Sequence, residues 1–224
     1  MIHTFLSVLS REILLFLKKH PDFFSKKEKA REELMEHAHL PAPFKKYLTD
    51  VSEKDFLKDL ELIFKLRNDA AMSLKSQPFF MALLEFFTTL LASKLDKIPV
   101  TFYLDSADKQ KEFLDEILGS DTPVAEVIKQ TLMTYTPQDL SQQIYELSRR
   151  AVNAPLVLIQ SPREIESELK SQIRHEFLKE YPNSFPIFQT NRSLIGGMRV
   201  FVDGEVVDHS WIYRVIRFTT LTTS

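Results

Sequence analysis

Apolar residues recur at three- and four-residue steps from residue 4 to about residue 150, with charged residues between them, which predicts a succession of amphipathic helices. Helix starts punctuate the pattern. "SKKE" at Ser25 to Glu28 has the letters of a capping box, in which the serine accepts from an orphan backbone N–H and the glutamate reaches back. "SEKD" at Ser52 opens a second run carrying Phe56, Leu60, Ile63, Phe64, Ala71 and Leu74. "TPVA" at Thr122 and "TPQD" at Thr136 each pair an N-cap threonine with a proline at the first helical position, where no N–H is missed. The connections are short, as between neighbours in a bundle. "IPVTFYLDS" (98–106) interrupts the helices with β-branched and aromatic residues, which predicts a strand or an extended linker and a subdomain break near 96–106.

After residue 150 the period changes. "APLVLIQ" (154–160) reads as a strand, and "SPREIESELKSQIRHEFLKEY" as a charged helix capped by Ser161, with Ile165, Leu169, Ile173 and Phe177 on one narrow stripe. "FPIFQT" (185–190) reads as a second strand. "MRVFV" and "EVVD" then flank Asp203-Gly204, a pair that tolerates the positive φ angles of a type I′ hairpin turn. In that hairpin Met198, Val200 and Val202 face one way, and Arg199 and Phe201 the other. "DHSWIYRVIRF" would close the chain as a short helix capped by Asp208 or Ser210. The fold class is therefore α+β: a helical bundle over 1–150 and a small β-α-β-β-α domain over 151–224.

Composition narrows the chemistry. The 224 residues are 44% hydrophobic and 27% charged with a net charge of −2, an ordinary globular balance without general attraction to nucleic acid or anionic lipid. No cysteine occurs, which removes disulfides, thiolate zinc sites and a cysteine nucleophile. The N-terminal stretch is interrupted by Arg11 and Glu12 and lacks a basic n-region, against a signal peptide. "PFFMALLEFFTTLLASKL" (78–95) contains Glu85 and falls short of the ~20 apolar residues of a membrane span, so it is expected as a buried helix of a soluble protein.

Candidate sites reduce to structural readings. Gly196-Gly197 precedes a strand rather than a helix, so no helix N-terminus is available to hold a phosphate, and a bend or close backbone approach explains the pair. Asp208, His209 and Ser210 have the letters of a hydrolase triad, but adjacent residues diverge in direction, and capping accounts for Asp208 and Ser210. His37 and His39, two apart, do not share a helix face and are not expected to ligate metal. The aromatic group Phe79, Phe80, Phe86 and Phe87 is expected in the core or in a groove for a partner helix. No catalytic residue, cofactor or metal is therefore expected.

The end of the chain supplies the one specific signal. Three of the four glycines lie within 193–211, and "NRSLIGGMRVFVDGEVVDHSW" resembles the C-terminal signature of the delta subunit of F-type ATP synthases, the OSCP of mitochondria. The elements that carry the resemblance are Leu194, Ile195, Gly196 and Gly197, which in that family enter a hairpin as a strand, the turn Asp203-Gly204, and Asp208 with Ser210. The family usually has aspartate where Asn191 stands, and an E-type peripheral-stalk subunit of an archaeal or vacuolar rotary ATPase is the alternative. An unrelated enzyme using the C-terminal module ranks below both. The resemblance implies a non-enzymatic stator subunit that resists torque so that rotation stays coupled to ATP synthesis and proton transport. Its bundle would grip the N-terminal helix of an alpha subunit, and its C-terminal domain the ends of the peripheral-stalk b helices. It would sit in the cytoplasm, on the inner face of the cell membrane through the complex, without inserting into it.

Overall fold

The computed structural model describes residues 2–66, 74, 77–119 and 122–208. The helical part comprises α1 (Ile2–Lys19), α2 (Glu28–Glu36), α3 (Ala42–Asp50), α4 (Glu53–Leu66), α5 (Pro78–Glu85), α6 (Ala92–Leu95), α7 (Ala107–Leu118), α8 (Pro123–Thr134) and α9 (Pro137–Val152). Caps begin several of them. Thr122 accepts from the Ala125 N–H, and Thr136 and Asp139 form a reciprocal capping box. Ser52 accepts from the Asp55 N–H at 3.2 Å. Ser25 does not cap α2: it ends a 3₁₀ turn (Phe23–Ser25) and donates its hydroxyl to the Asp22 carbonyl.

One core runs through this part. α1 buries Ile2, Phe5, Leu6, Leu9 and Ile13, and the Phe5 ring stacks 5.3 Å from Phe86. Between α5 and α6 lies a π-helical turn, Phe86–Leu91. Its physical reason is visible in the pattern: the buried pairs Phe86/Phe87 and Leu91/Ala92 are five residues apart, a spacing that an α-helix would rotate away from the core and a π-turn realigns. The stretch Pro78–Leu95 meets the length and apolarity of a short bilayer span, and 61% of it is buried within the fold. Phe79, Phe80, Phe86 and Phe87 are all buried, so they form core and not an open groove.

The segment 98–106 holds no strand, and it is extended only at its ends, at Pro99, Asp105 and Ser106. Val100–Leu104 forms a 3₁₀ helix that buries Phe102, and the Tyr103 hydroxyl bonds the carbonyls of Leu132 and Tyr135 at 3.1 and 2.9 Å. Aromatic and β-branched residues favour strands, but here burial against α7 and α8 sets the backbone.

The C-terminal part is a mixed four-stranded sheet of order β2-β1-β3-β4, with β1 (Val157–Ser161), β2 (Ile187–Thr190), β3 (Arg199–Val202) and β4 (Glu205–Asp208). β1 and β2 are parallel, joined through α10 (Ser167–Glu180), and β3 is antiparallel to both β1 and β4. Both arms of the hairpin are strands, so the order runs β-α-β-β-β to residue 208, and the expected terminal helix lies outside the described residues. Ser161 does not cap α10. It still pairs with Thr190 in the ladder, and the helix begins six residues later behind Glu166. Val157, Ile159 and Ile165 form a small second core, covered by Ile173 and Phe177 of α10 and by Met198, Val200 and Val202.

Candidate docking surfaces

The glycine-rich stretch is built around Asn191. Its N–H donates to the Ser161 carbonyl at 2.7 Å, its Nδ2 donates to Gln160, and its Oδ1 accepts from the Ser193 N–H and hydroxyl. Four bonds on one side chain and its amide fix how the chain leaves the end of β1. Leu194 is then buried and Ile195 is 74% exposed. Gly196 and Gly197 lie in the bend before β3 rather than in a strand, and Gly197 has φ +77°, the region that favours glycine.

The Asp203-Gly204 turn has φ +48° and +89°, as a type I′ turn requires. Asp203 does more than turn. Its N–H donates to the Leu156 carbonyl at 3.0 Å, and its Oδ1 accepts from the Leu156 N–H at 2.8 Å, so the hairpin tip is fastened to the start of β1. Asp208 is the last residue of β4, in register with Arg199. Ser210 and His209 lie outside the described residues.

Register places an apolar row across the sheet face opposite α10. Ile187, Leu158, Phe201 and Val206 are successive partners across all four strands. Side chains of paired residues share a face, and Val206 on this one is 52% exposed. Beside it, Gln160 donates to Gln189 at 2.9 Å. This face offers a partner helix an apolar strip with a polar flank.

A second surface lies on the helical part. α1 and α4 enclose a groove of about 380 Å³ whose floor includes Leu6, Leu14, Leu15, Ile63 and Phe64. Leu14, Leu15 and Phe64 are 43%, 41% and 64% exposed, unusual for large apolar side chains brought together on one face. Among the described residues, the ionisable ones of its lining are His3, Arg11 and Lys18, all from α1 and none acidic. Ser10 also lines it, with a buried hydroxyl that has no hydrogen-bond partner among the described residues. An apolar floor with a basic rim suits an amphipathic helix carrying carboxylates along its polar edge.

A third cleft, of about 690 Å³, lies between α3, α4 and α5 and holds Asp50, Asp55, Asp59 and Glu85. Asp59 is buried, and burial raises its pKa, opposed by hydrogen bonds from the Tyr47 hydroxyl and the Phe79 N–H. Those bonds give it a structural role, joining α3, α4 and the N-terminus of α5. Among the described residues no group of three or more His, Asp or Glu side chains is arranged to hold a metal ion. His37 and His39 are exposed just after α2.

Sequence reading missed both the row on the sheet and the basic rim. The first needs the strand register. The second needs α1 to lie beside α4, although the seven-residue spacing of Arg11 and Lys18 does place those two on one face. In comparisons with known proteins, no protein-family model and no curated protein matches the chain.

Proposed function

We propose that this chain is a delta-type stator subunit of a rotary ATP synthase, joining the catalytic head to the peripheral stalk and carrying no catalytic step itself. The observation that carries the reading is the stretch 191–208. Leu194, Ile195, Gly196 and Gly197 lead through a fixed bend into a hairpin turned at Asp203-Gly204, on a mixed sheet that follows a helical body. The same residues carry the resemblance to the delta family.

The α1/α4 groove is the surface proposed for the N-terminal helix of the alpha subunit. Its exposed Leu14, Leu15 and Phe64 supply apolar area, and Arg11 and Lys18 supply charge for an acidic edge. The row Ile187, Leu158, Phe201 and Val206 is proposed for the stalk b helices. Two partner grips on one chain act mechanically, keeping the head from turning with the rotor. In this reading the protein works in the cytoplasm, peripheral to the inner face of the membrane through the complex, and handles neither nucleic acid nor a cofactor.

The test is affinity purification of the tagged full chain from detergent-solubilised membranes of its own organism, with the co-purifying subunits identified by mass. Recovery of alpha and b subunits in stoichiometric amounts supports the stator reading. Recovery of the soluble chain without them overturns it.

A further inference from the structure

We propose that Arg174 of α10 and Asp96, just after α6, form a latch that docks the C-terminal sheet on the helical body as a separable unit. The Arg174 guanidinium donates to both carboxylate oxygens of Asp96, at 2.7 and 2.9 Å, and to the Pro186 carbonyl at 2.6 Å. The rings of Phe185 and Phe188 lie 4.4 and 4.8 Å from its centre. Both side chains are buried, at 8% and 3% exposure, so the bidentate pair acts in a low-dielectric contact where either partner alone would be left as an unpaired charge.

Three features make this contact a joint and not part of a continuous core. The apolar cluster of the sheet, Val157, Ile159 and Ile165, is separate from the cluster of the helical body, which among the described residues Phe185 alone joins from the sheet side. A cavity of about 290 Å³ lies against the pair, lined from both sides by Tyr103 and Thr136 and by Lys170 and Phe188, so apolar packing does not close the contact. One chain connection enters the sheet from the helical body, at residues 153–156, and it begins at Asn153 with φ +55°, a left-handed helix end that stops α9. The pair therefore shares the docking with the Phe185 ring and with the contact of α9 on β2, and is its charged element. Release of the pair frees the sheet about that connection, with the sheet's own cluster kept and the Phe185 ring withdrawn from the helical core. This inference stands independently of the stator reading.

Hydrogen exchange by mass spectrometry on the full chain tests it, with Arg174→Met, Asp96→Leu and the double variant. In each single variant the amides of 95–104 and of Phe185 should exchange roughly tenfold faster or more, because a buried charge has lost its partner. Amides of β1 and β3, inside the sheet, and of α1 should keep wild-type protection. The double variant, with no orphaned charge, should return the joint to within about threefold of wild type. Unchanged exchange at the joint in the single variants overturns the latch. So does loss of β1 and β3 protection, which would mean local unfolding, or a double variant no better than the singles.

Discussion

The Tyr47 hydroxyl donates a 2.6 Å hydrogen bond to the Asp59 carboxylate, linking α3 to α4 beneath the start of α5. Burial holds the Asp59 pKa above its usual range, and the bonds from Tyr47 and the Phe79 N–H oppose that rise. A carboxyl group with a raised folded-state pKa contributes stability that is full below its unfolded pKa and is lost as pH rises through the folded value. At neutral pH the ionised group depends on its donors. Tyr47→Phe is expected to cost about 1.5–3 kcal/mol near pH 7. The cost should shrink as pH falls through the raised pKa of Asp59, where the carboxyl binds its proton. Urea titrations of both proteins across that range measure it, and a pH-independent difference would refute the linkage.

The hairpin turn gives a purely conformational test. Gly204 sits at φ +89°, and among the described residues beyond its two chain neighbours no atom lies within 4 Å of where a Cβ would stand, so a substitution meets strain and not collision. Gly204→Ala should destabilise the sheet by about 1–2 kcal/mol, and Gly204→Asn by less, since asparagine tolerates this region better. Hydrogen exchange at β3 and β4 reads the difference. Equal effects of the two substitutions would contradict the type I′ assignment as the cause.

Lys129 tests the direction of a charge imbalance. Its side chain is 5% exposed, and its ammonium bonds Asp115 at 2.6 Å and Glu126 at 2.8 Å, both of which are about half exposed. Those bonds raise its pKa, so the stability it contributes is present below the ordinary lysine range and lost as pH rises through the raised value. Lys129→Met leaves two carboxylates that water can reach and should cost about 1 kcal/mol or less. Asp115→Asn with Glu126→Gln leaves a buried cation and should cost about 3 kcal/mol. Urea denaturation compares the two variants, and a reversed order would show that the buried ammonium does not govern the balance.

How much was legible in the sequence depended on how local the interaction is. Thr122, Thr136 and Ser52 cap helices through bonds that span three residues, and their letters sufficed. Asp203-Gly204 was readable for the same reason. Ser25 and Ser161 carry the same letters but use them elsewhere, because Ser25 closes a 3₁₀ turn and Ser161 is held in the β1–β2 ladder. Phe102 and Tyr103 have strand-forming side chains, yet packing against distant helices folds them into a 3₁₀ turn. Arg174 reads as one charge on a charged helix. Its partner Asp96 is 78 residues away, and no period in the sequence connects them. The docking surfaces depend in the same way on register and helix adjacency, which only the folded chain brings together.

The stator reading rests most directly on one titration. A peptide from the N-terminus of the alpha subunit of the same organism's ATP synthase is titrated calorimetrically into the full chain, and in parallel into Leu14→Asp and Phe64→Asp variants shown to be folded. The expected result is saturable binding to the wild-type protein, lost when the peptide's apolar face is replaced and weakened at least tenfold by either groove variant, the scale of a lost apolar anchor. No binding by the folded wild-type chain would contradict the account. Binding that both groove variants leave unchanged would keep the partner and move it away from α1 and α4.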